Sequence, residues 1–387
     1  MAEVYLDNAA TTPLLPSVVE RMTDVLSNVY GNPSSVHNKG LEAERVVGAA
    51  RRQVAQVLGA DASDIVFTSG GTEANGLAIL GTARARARRR RHIVTGATEH
   101  SSILNVCRLL EADGFEVTYL PVDRHGRLTP GAVAASLRED TALVTLMWVN
   151  NELGTLHPIA DIAAAVKGRD PEVVVHTDAV QAFGKVPIDV DALPVDLLSV
   201  SAHKIHGPKG VGALWIRPGV RLVSPLGGGS QERGLRPGTE NVAGIAGLGA
   251  AAAAAAERLP ETAARMRALR ERLWEGIAAK VPWAVRNTPA PAAECAPHIL
   301  NVSFPGLKGE VLVHSLAEQG VYVSTGSACS SRRTGHSHVL TALGLNDDLA
   351  GGALRFSVSS LTTAEEIDRA VDVVAAVVGD LAELVLR

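Results

Sequence analysis

The chain has 387 residues, 46% of them hydrophobic, enough at roughly 100–200 residues per domain for two or three domains with ample core. Lys and Arg total 37 against 41 Asp and Glu, a net charge of −4, which argues against a nucleic-acid coat protein, while the apolar content argues against disorder. Cys107, Cys295 and Cys329 form no Cys-x-x-Cys pattern, Met1–Tyr5 lacks a basic and then apolar leader, and the Ala/Gly-rich run 244–256 is too short to span a bilayer, so the expectation is a soluble, reduced, cytoplasmic enzyme with no membrane or direct nucleic-acid partner.

Short apolar runs alternate with helical patterns along the chain. Ile65–Thr68 reads as a buried strand and Thr72–Arg90 as a helix. His92–Thr95 is strand-like, Ser101–Asp113 helical and Glu116–Leu120 strand-like. The apolar strand Thr141–Val149 precedes a helix over Pro158–Lys167, and Val173–His176, Leu197–Val200 and Val211–Ile216 complete the set. Strands separated by helices of this length predict an α/β fold with a mostly parallel sheet covered on both faces. Asn241–Lys280 reads as one long Ala-rich helix broken near Pro260. A smaller α+β unit comes after a Pro/Ala connection: strand Ile299–Phe304, helix Gly309–Gln319, strand Val321–Ser324, a Gly/Ser/Arg loop, a helix, strand Ala353–Val358 and a terminal helix from Thr363. Six arginines crowd into Ala83–Arg91. They read as the solvated C-terminal end of a helix, where cations favour the dipole, or as a docking patch for an acidic partner.

Ligands in such sheets bind beyond the carboxyl ends of the strands, and the polar candidates fall there. Lys204 closes Ser201-Ala202-His203-Lys204 directly after a strand, and Asp178 stands just past the apolar run Val173–His176. Alone, Lys204 reads as a surface residue and Asp178 as a cap. Together, a lysine able to form a Schiff base and a carboxylate able to keep a pyridinium nitrogen protonated are the minimal pair for pyridoxal phosphate (PLP). Ser69-Gly70-Gly71-Thr72 joins a strand to a helix whose first N–H groups suit a phosphate, although it lacks the Gly-Lys-Ser/Thr of a P-loop. His100, Asn151 and Gln181 lie after strands in the same half and outline the rest of a cofactor pocket.

Cys329 lies in Ser324-Thr325-Gly326-Ser327-Ala328-Cys329-Ser330-Ser331, which reads as an exposed, mobile loop ending at Arg332 and Arg333, a setting that favours a nucleophilic thiolate. Cys107 sits among apolar helix positions and reads as core; Cys295 reads as incidental in a loop. Arg355, inside the apolar strand Ala353–Ser357, needs a partner. Either a buried carboxylate or the carboxylate of a substrate would serve.

Several motifs in order resemble one family: Tyr5-Leu6-Asp7-Asn8-Ala9-Ala10-Thr11-Thr12-Pro13, Gly31-Asn32-Pro33-Ser34-Ser35, His176-Thr177-Asp178-Ala179-Val180-Gln181, Ser201-Ala202-His203-Lys204 with Gly207-Pro208-Lys209-Gly210, Gly234–Asn241, the Cys329 loop and Leu354-Arg355-Phe356-Ser357. Over nearly its whole length the chain is similar to cysteine desulfurases of the IscS/NifS type, class V aminotransferases with the PLP-dependent transferase fold type I. The resemblance implies a large domain over 16–257 with a seven-stranded sheet, and a small domain from 1–15 and 258–387 that carries the catalytic loop at about 324–336. It implies that Lys204 holds PLP covalently, Asp178 meets the pyridine nitrogen, Gln181 the phenolic oxygen, and that His100 stacks on the ring and helps proton transfer. Asn151 would touch the cofactor and substrate, and Gly71, Thr72, Ser201 and His203 would cradle the phosphate. Thr239 would reach the phosphate site of a neighbouring subunit, making a homodimer. Arg355 and Asn8 would bind the carboxylate of L-cysteine. Cys329 would take its sulfur as a persulfide, for delivery to an iron–sulfur scaffold or a thiolation enzyme.

The chain departs from the family pattern at Arg332–His336 after the Cys329 motif, at Leu235, and at Ser359-Ser360, where Gly-Arg is common. Other readings are a selenocysteine lyase, a class V enzyme for a different amino acid, and a non-catalytic scaffold; the joint presence of Lys204, Asp178, His100, Cys329 and Arg355 speaks against the last.

Overall fold

A computed structural model describes residues 3–326 and 337–385. In chain order it contains β1 (Val4–Tyr5), α1 (Pro16–Asn28), α2 (Asn38–Leu58), β2 (Ile65–Thr68), α3 (Gly71–Arg86), β3 (His92–Gly96), α4 (Ser101–Ala112), β4 (Glu116–Leu120), α5 (Pro130–Ala135), β5 (Thr141–Met147), α6 (Ile159–Arg169), β6 (Val174–Asp178), β7 (Leu197–Ser201) and β8 (Gly212–Ile216). The C-terminal half adds α7 (Val242–Glu257), α8 (Leu259–Lys280), β9 (Val285–Arg286), β10 (Ile299–Ser303), α9 (Gly309–Glu318), β11 (Val321–Tyr322), α10 (His338–Ala342), α11 (Asp347–Gly351), β12 (Ala353–Ser357) and α12 (Ala364–Val385).

The central sheet has seven strands in the order β2-β8-β7-β6-β5-β3-β4. β8 is antiparallel to both of its neighbours, so the other six strands run the same way. Adjacent residues point to opposite faces, and both faces are apolar because both are covered. Val66, Leu143, Val174, Leu197 and Leu214 enter one cluster with Leu77, Ile79 and Ile103 from α3 and α4. Their sequence neighbours Phe67, Val144, Val175, Leu198 and Ala213 enter the opposite cluster with α2, α6 and α7. This is why these strands read as unbroken hydrophobic runs rather than as alternating ones.

A third apolar cluster gathers Val302 and Phe304, Leu354 and Phe356, and residues of α8, α9 and α12. Its sheet is antiparallel, in the order β12-β10-β9. β1 pairs in parallel with β11, Val4 opposite Val321, and Leu6 packs into the same cluster. The N-terminal segment therefore reaches the C-terminal unit before α1 begins.

Two local expectations need correction. The arginine-rich helix ends at Arg86, not Arg90, because the next arginines have their own partners. Arg90 meets Asp170 at 2.6 Å and Glu172 at 3.0 Å, while Arg91 donates to the carbonyl of Asp113 at 2.6 Å and stacks on Phe115. The strand expected to reach Val149 stops at Met147, and helices α1 and α2 were not anticipated at all. The break expected near Pro260 is present: α7 and α8 meet there at a 79° bend, and no single helix among the described residues is long and apolar enough to cross a membrane.

Candidate active site

The carboxyl ends of β2, β3, β5, β6 and β7 converge on one edge of the sheet. There Gly71, Thr72, His100, Asn151, Asp178, Gln181, Ser201, His203, Lys204 and Arg355 border a single cleft with a volume of about 220 Å³. Lys204 sits on the short turn after β7 and its Nζ donates to the carbonyls of Ala9 and Ala10 at 2.6 and 2.7 Å. The N-terminal segment thus forms part of the floor.

Asp178 ends β6. Its Oδ1 accepts from the Val180 amide at 2.9 Å and its Oδ2 from Asn75 Nδ2 at 2.7 Å. Asn75 Nδ2 also donates to Ser102 Oγ at 2.9 Å, so the Ser102 hydroxyl proton is free to point at His100 Nδ1, 2.8 Å away. The Ser102 amide donates to that same nitrogen at 3.2 Å. Nδ1 is therefore an acceptor twice over, and in the neutral ring the proton resides on Nε2. Burial pushes the His100 imidazole below its usual range and Lys204 adds to this, while Asp178 works the other way. The result is a neutral imidazole fixed in one tautomer.

The phosphate end is built from backbone. Gly70 precedes α3 without a side-chain cap, which leaves first-turn N–H groups directed at the cleft. A Cβ on Gly71 would come within 2.7 Å of Val180 Cγ2, so glycine is needed for this close approach. Ser201 Oγ is buried with no hydrogen-bond partner. Next to it, His203 Nδ1 lies 3.2 Å from Thr11 Oγ1, and burial with nearby Lys204, Lys185 and Lys209 pushes its imidazole down to about 3. An uncapped helix start beside an unsatisfied hydroxyl fits a phosphate, and the Asp178 carboxylate with the Lys204 amine fits the ring and aldehyde of PLP.

At the opposite wall Arg355 is 1% exposed. Its Nη2 meets Asp7 Oδ1 at 2.7 Å, its Nη1 donates to the Asn151 carbonyl at 2.9 Å, and its Nε has no partner among the described residues. The two partners open to Arg355 are thus compatible: it is paired with the partly buried carboxylate of Asp7 and still borders the cleft. Gln181 donates to the Ala9 carbonyl at 2.9 Å and its Oε1 accepts from His298 Nε2 at 3.1 Å.

Other expected site residues lie elsewhere. Asn8 does not border the cleft: its amide donates to the carbonyls of Tyr5 and Ser357, at 3.0 and 2.9 Å, and Ala9 and Ala10 take the lining positions. Thr239 is exposed, on a shallow rim with Leu226 and Pro237. Cys329 lies outside the described residues, as do Ser327 and Arg332–His336. Cys107 is core as expected, its thiol pushed up to about 12 by burial. Cys295 is not incidental: it is 1% exposed and its sulfur accepts from Arg270 at 3.0 Å.

Sequence reasoning missed Asn75, Ser102, Asp7, Glu99, Glu152 and His298. Asn75 had one signal, its place one turn beyond Thr72 on the same helix. Glu99 is fully buried and accepts from the Met147 amide at 2.9 Å; burial and Asp178 hold its carboxyl well above the usual carboxylate range. Glu152, also fully buried, accepts from Ser337 Oγ at 2.5 Å, and a Cβ on Gly326 would lie 2.9 Å from the same oxygen. His338 donates to the Glu99 carbonyl at 2.9 Å. On the far side of the Cys329 segment, Ser337 and His338 are thus hydrogen-bonded to the Glu152 carboxylate and the Glu99 backbone, and on the near side Gly326 lies beside the Glu152 carboxylate.

Comparison with known proteins matches residues 4–370 to the family described as Aminotransferase class-V. A protein named cysteine desulfurase IscS, from Methanosarcina thermophila, is 45% identical over 378 residues, covering 98% of this chain and 92% of that one. A solved structure titled NifS-like protein superposes with a TM-score of 0.92 at 40% identity, over 98% of this chain and all of the other. Another, titled SspA in complex with cysteine, gives a TM-score of 0.82 at 37% identity, over 93% and 100%.

Proposed function

The chain belongs to the class-V aminotransferase family, and from that premise we propose that its cleft carries out PLP-dependent cysteine desulfuration, with Lys204, Asp178, His100, Arg355 and Cys329 in the leading roles. The observation that carries this reading is the convergence of Lys204, Asp178 and the uncapped start of α3 on one cleft whose Ser201 hydroxyl lacks a partner.

PLP, when bound, supplies an electron sink for the carbons of an amino-acid substrate. Asp178, oriented by Asn75 and the Val180 amide, holds the proton on the pyridine nitrogen. Gln181 directs its remaining amide hydrogen to the phenolic oxygen. Thr72, Ser201, His203 and the α3 amides bind the phosphate. His100 covers the ring and presents Nε2–H to the reacting groups. Lys204 Nζ anchors the cofactor and, once released, moves the proton at the substrate Cα. Arg355 binds the α-carboxylate of L-cysteine, with Asn151 beside it. The Cys329 thiolate attacks the substrate sulfur: an S–S bond forms, the C–S bond breaks, and L-cysteine plus the Cys329 thiol become L-alanine plus a Cys329 persulfide. The terminal sulfur then passes to an acceptor protein, an iron–sulfur scaffold or a thiolation enzyme in the cytoplasm.

The assignment includes two domains, 16–257 and 1–15 with 258–387, and a homodimer in which the exposed Thr239 reaches the partner's phosphate site. Alanine release from L-cysteine, with persulfide mapping by mass spectrometry, tests the whole. Lys204→Ala should lose the absorption band of bound cofactor. Cys329→Ser should keep the band and lose the persulfide. A Cys329→Ser protein that released alanine and sulfide at the full rate would sink the role of Cys329. Mixing Thr239→Ala with Lys204→Ala subunits tests the shared site: dimers then carry both lesions in one site or one in each, and activity must depend on the mixture.

A further inference from the structure

Lys204 borders a second cavity, of about 60 Å³, that the desulfuration chemistry does not use. Leu15, Ile205 and Met266 give it apolar walls, and Lys185, His206, Ser359 and Ser360 supply polar groups. Lys185 borders this cavity and not the cofactor cleft. It is 5% exposed, and its Nζ has no hydrogen-bond partner among the described residues. A buried ammonium with unused donors is costly unless an anion accompanies it.

No acidic side chain among the described residues borders the cavity. The charges acting there share one sign. Lys204 adds to burial in pushing the Lys185 amine down to about 7, and Lys185 in turn depresses the imidazoles of His203, His206 and His298. The other polar groups do not compensate. His206 Nδ1 donates to the Pro13 carbonyl at 2.9 Å, so its Nε2 accepts from the Ser360 hydroxyl, 3.2 Å away. Ser359 Oγ accepts from the Leu361 amide at 3.2 Å and keeps its own proton to donate. Lys185 Nζ and Ser359 Oγ are thus left as donors in a positive field.

We propose that this cavity is a binding site for a small monovalent inorganic anion of halide size, held by the Lys185 ammonium and the Ser359 hydroxyl. The apolar walls favour a weakly hydrated single charge; a phosphate or sulfate would require more donors than these. The site joins the turn that carries Lys204 to the segment just after β12, so its occupant would tie the two together and alter the field at Lys204. It is independent of the substrate chosen by the cleft.

Two measurements on the holoenzyme test this. Crystals soaked in sodium bromide should show an anomalous peak in hydrogen-bonding contact with Lys185 Nζ. Calorimetric melting at constant ionic strength, with chloride replacing gluconate, should raise Tm saturably, by about 2 °C at tenfold excess over half-saturation. Lys185→Met should abolish that rise, and Ser359→Ala should move half-saturation to higher chloride. A bromide-free cavity, or a chloride response equal in wild type and Lys185→Met, would overturn the proposal. If Lys185→Met does not fold, the bromide experiment on the wild type decides alone.

Discussion

Asn75 Nδ2 donates to Asp178 Oδ2 at 2.7 Å, linking the first turns of α3 to the last residue of β6 across 103 positions of sequence. The same nitrogen reaches Ser102, and through it His100. One amide thus orients both the Asp178 carboxylate and the His100 imidazole at the cleft. Asn75→Ala removes a hydrogen bond to a charged group, a loss of about 1.5–3 kcal/mol, so cofactor affinity should fall roughly 10–100-fold. Titration of the apoenzyme with PLP, followed by absorbance, measures it. Unchanged affinity would show that Asp178 holds its place without Asn75.

Arg355 is held by Asp7 and the Asn151 carbonyl, so its orientation exists before substrate arrives. Arg355→Ala should weaken equilibrium cysteine binding roughly 10–100-fold. Arg355→Lys should recover little, because a point charge cannot span both partners and a carboxylate. Asp7→Asn should act in the same direction but less strongly. Cysteine binding unchanged in Arg355→Ala would leave Arg355 a purely structural ion-pair partner.

Glu152 is the shared contact of Gly326 and Ser337, the described residues on either side of the Cys329 segment. Glu152→Ala should slow persulfide formation on Cys329 roughly 10–100-fold through misplacement, while cofactor absorption and cysteine binding stay near wild type. Glu152→Gln, whose amide oxygen still accepts from Ser337, should restore much of the rate. Single-turnover mass spectrometry separates the steps, and a rate unaffected in Glu152→Ala would remove the residue from the loop's support.

His176 lies buried between Thr145 Oγ1 at 2.8 Å and Ser199 Oγ at 2.9 Å, and burial pushes its imidazole down to about 3. The folded state therefore resists a proton that the unfolded chain accepts near 6.5. Its contribution is complete above about 6.5 and is lost progressively as pH falls toward 3, at up to about 1.4 kcal/mol per pH unit. Glu99, with its raised carboxyl, works in the opposite sense as pH rises, so the measurement must be a difference. Between about pH 6.5 and 5, wild type should lose about 2 kcal/mol more stability than His176→Gln in urea titrations. Equal losses would place the pH sensitivity elsewhere.

Lys204, Asp178, Gly71, Thr72 and Ser201 were legible because each stands just past an apolar run, and strand ends converge by geometry in a parallel sheet. The strands themselves were legible for the same reason, two covered faces leaving no polar alternation. α1 and α2 are less legible, because each buries mainly small apolar residues, Val18 and Val25 in α1 and Ala43, Val47, Ala50 and Val54 in α2. Asn8 shows the limit in the other direction: its motif placed it at the substrate, yet Tyr5 and Ser357 carbonyls take its amide hydrogens.

The sequence by itself determined the alternation of buried strands and helices, the polar residues at strand ends that border the cleft, and the type of chemistry those residues support. Such features depend on periodicity and on the residue types just past each strand, and both are local. Only the tertiary structure decided which hydrogen-bonding groups are spent and which are left over: the tautomer of His100, the double engagement of Arg355, the shared hold of Glu152, the unpartnered amine of Lys185. A hydrogen bond acts within about 3 Å and is indifferent to separation along the chain, so these assignments exist only once distant segments have packed together.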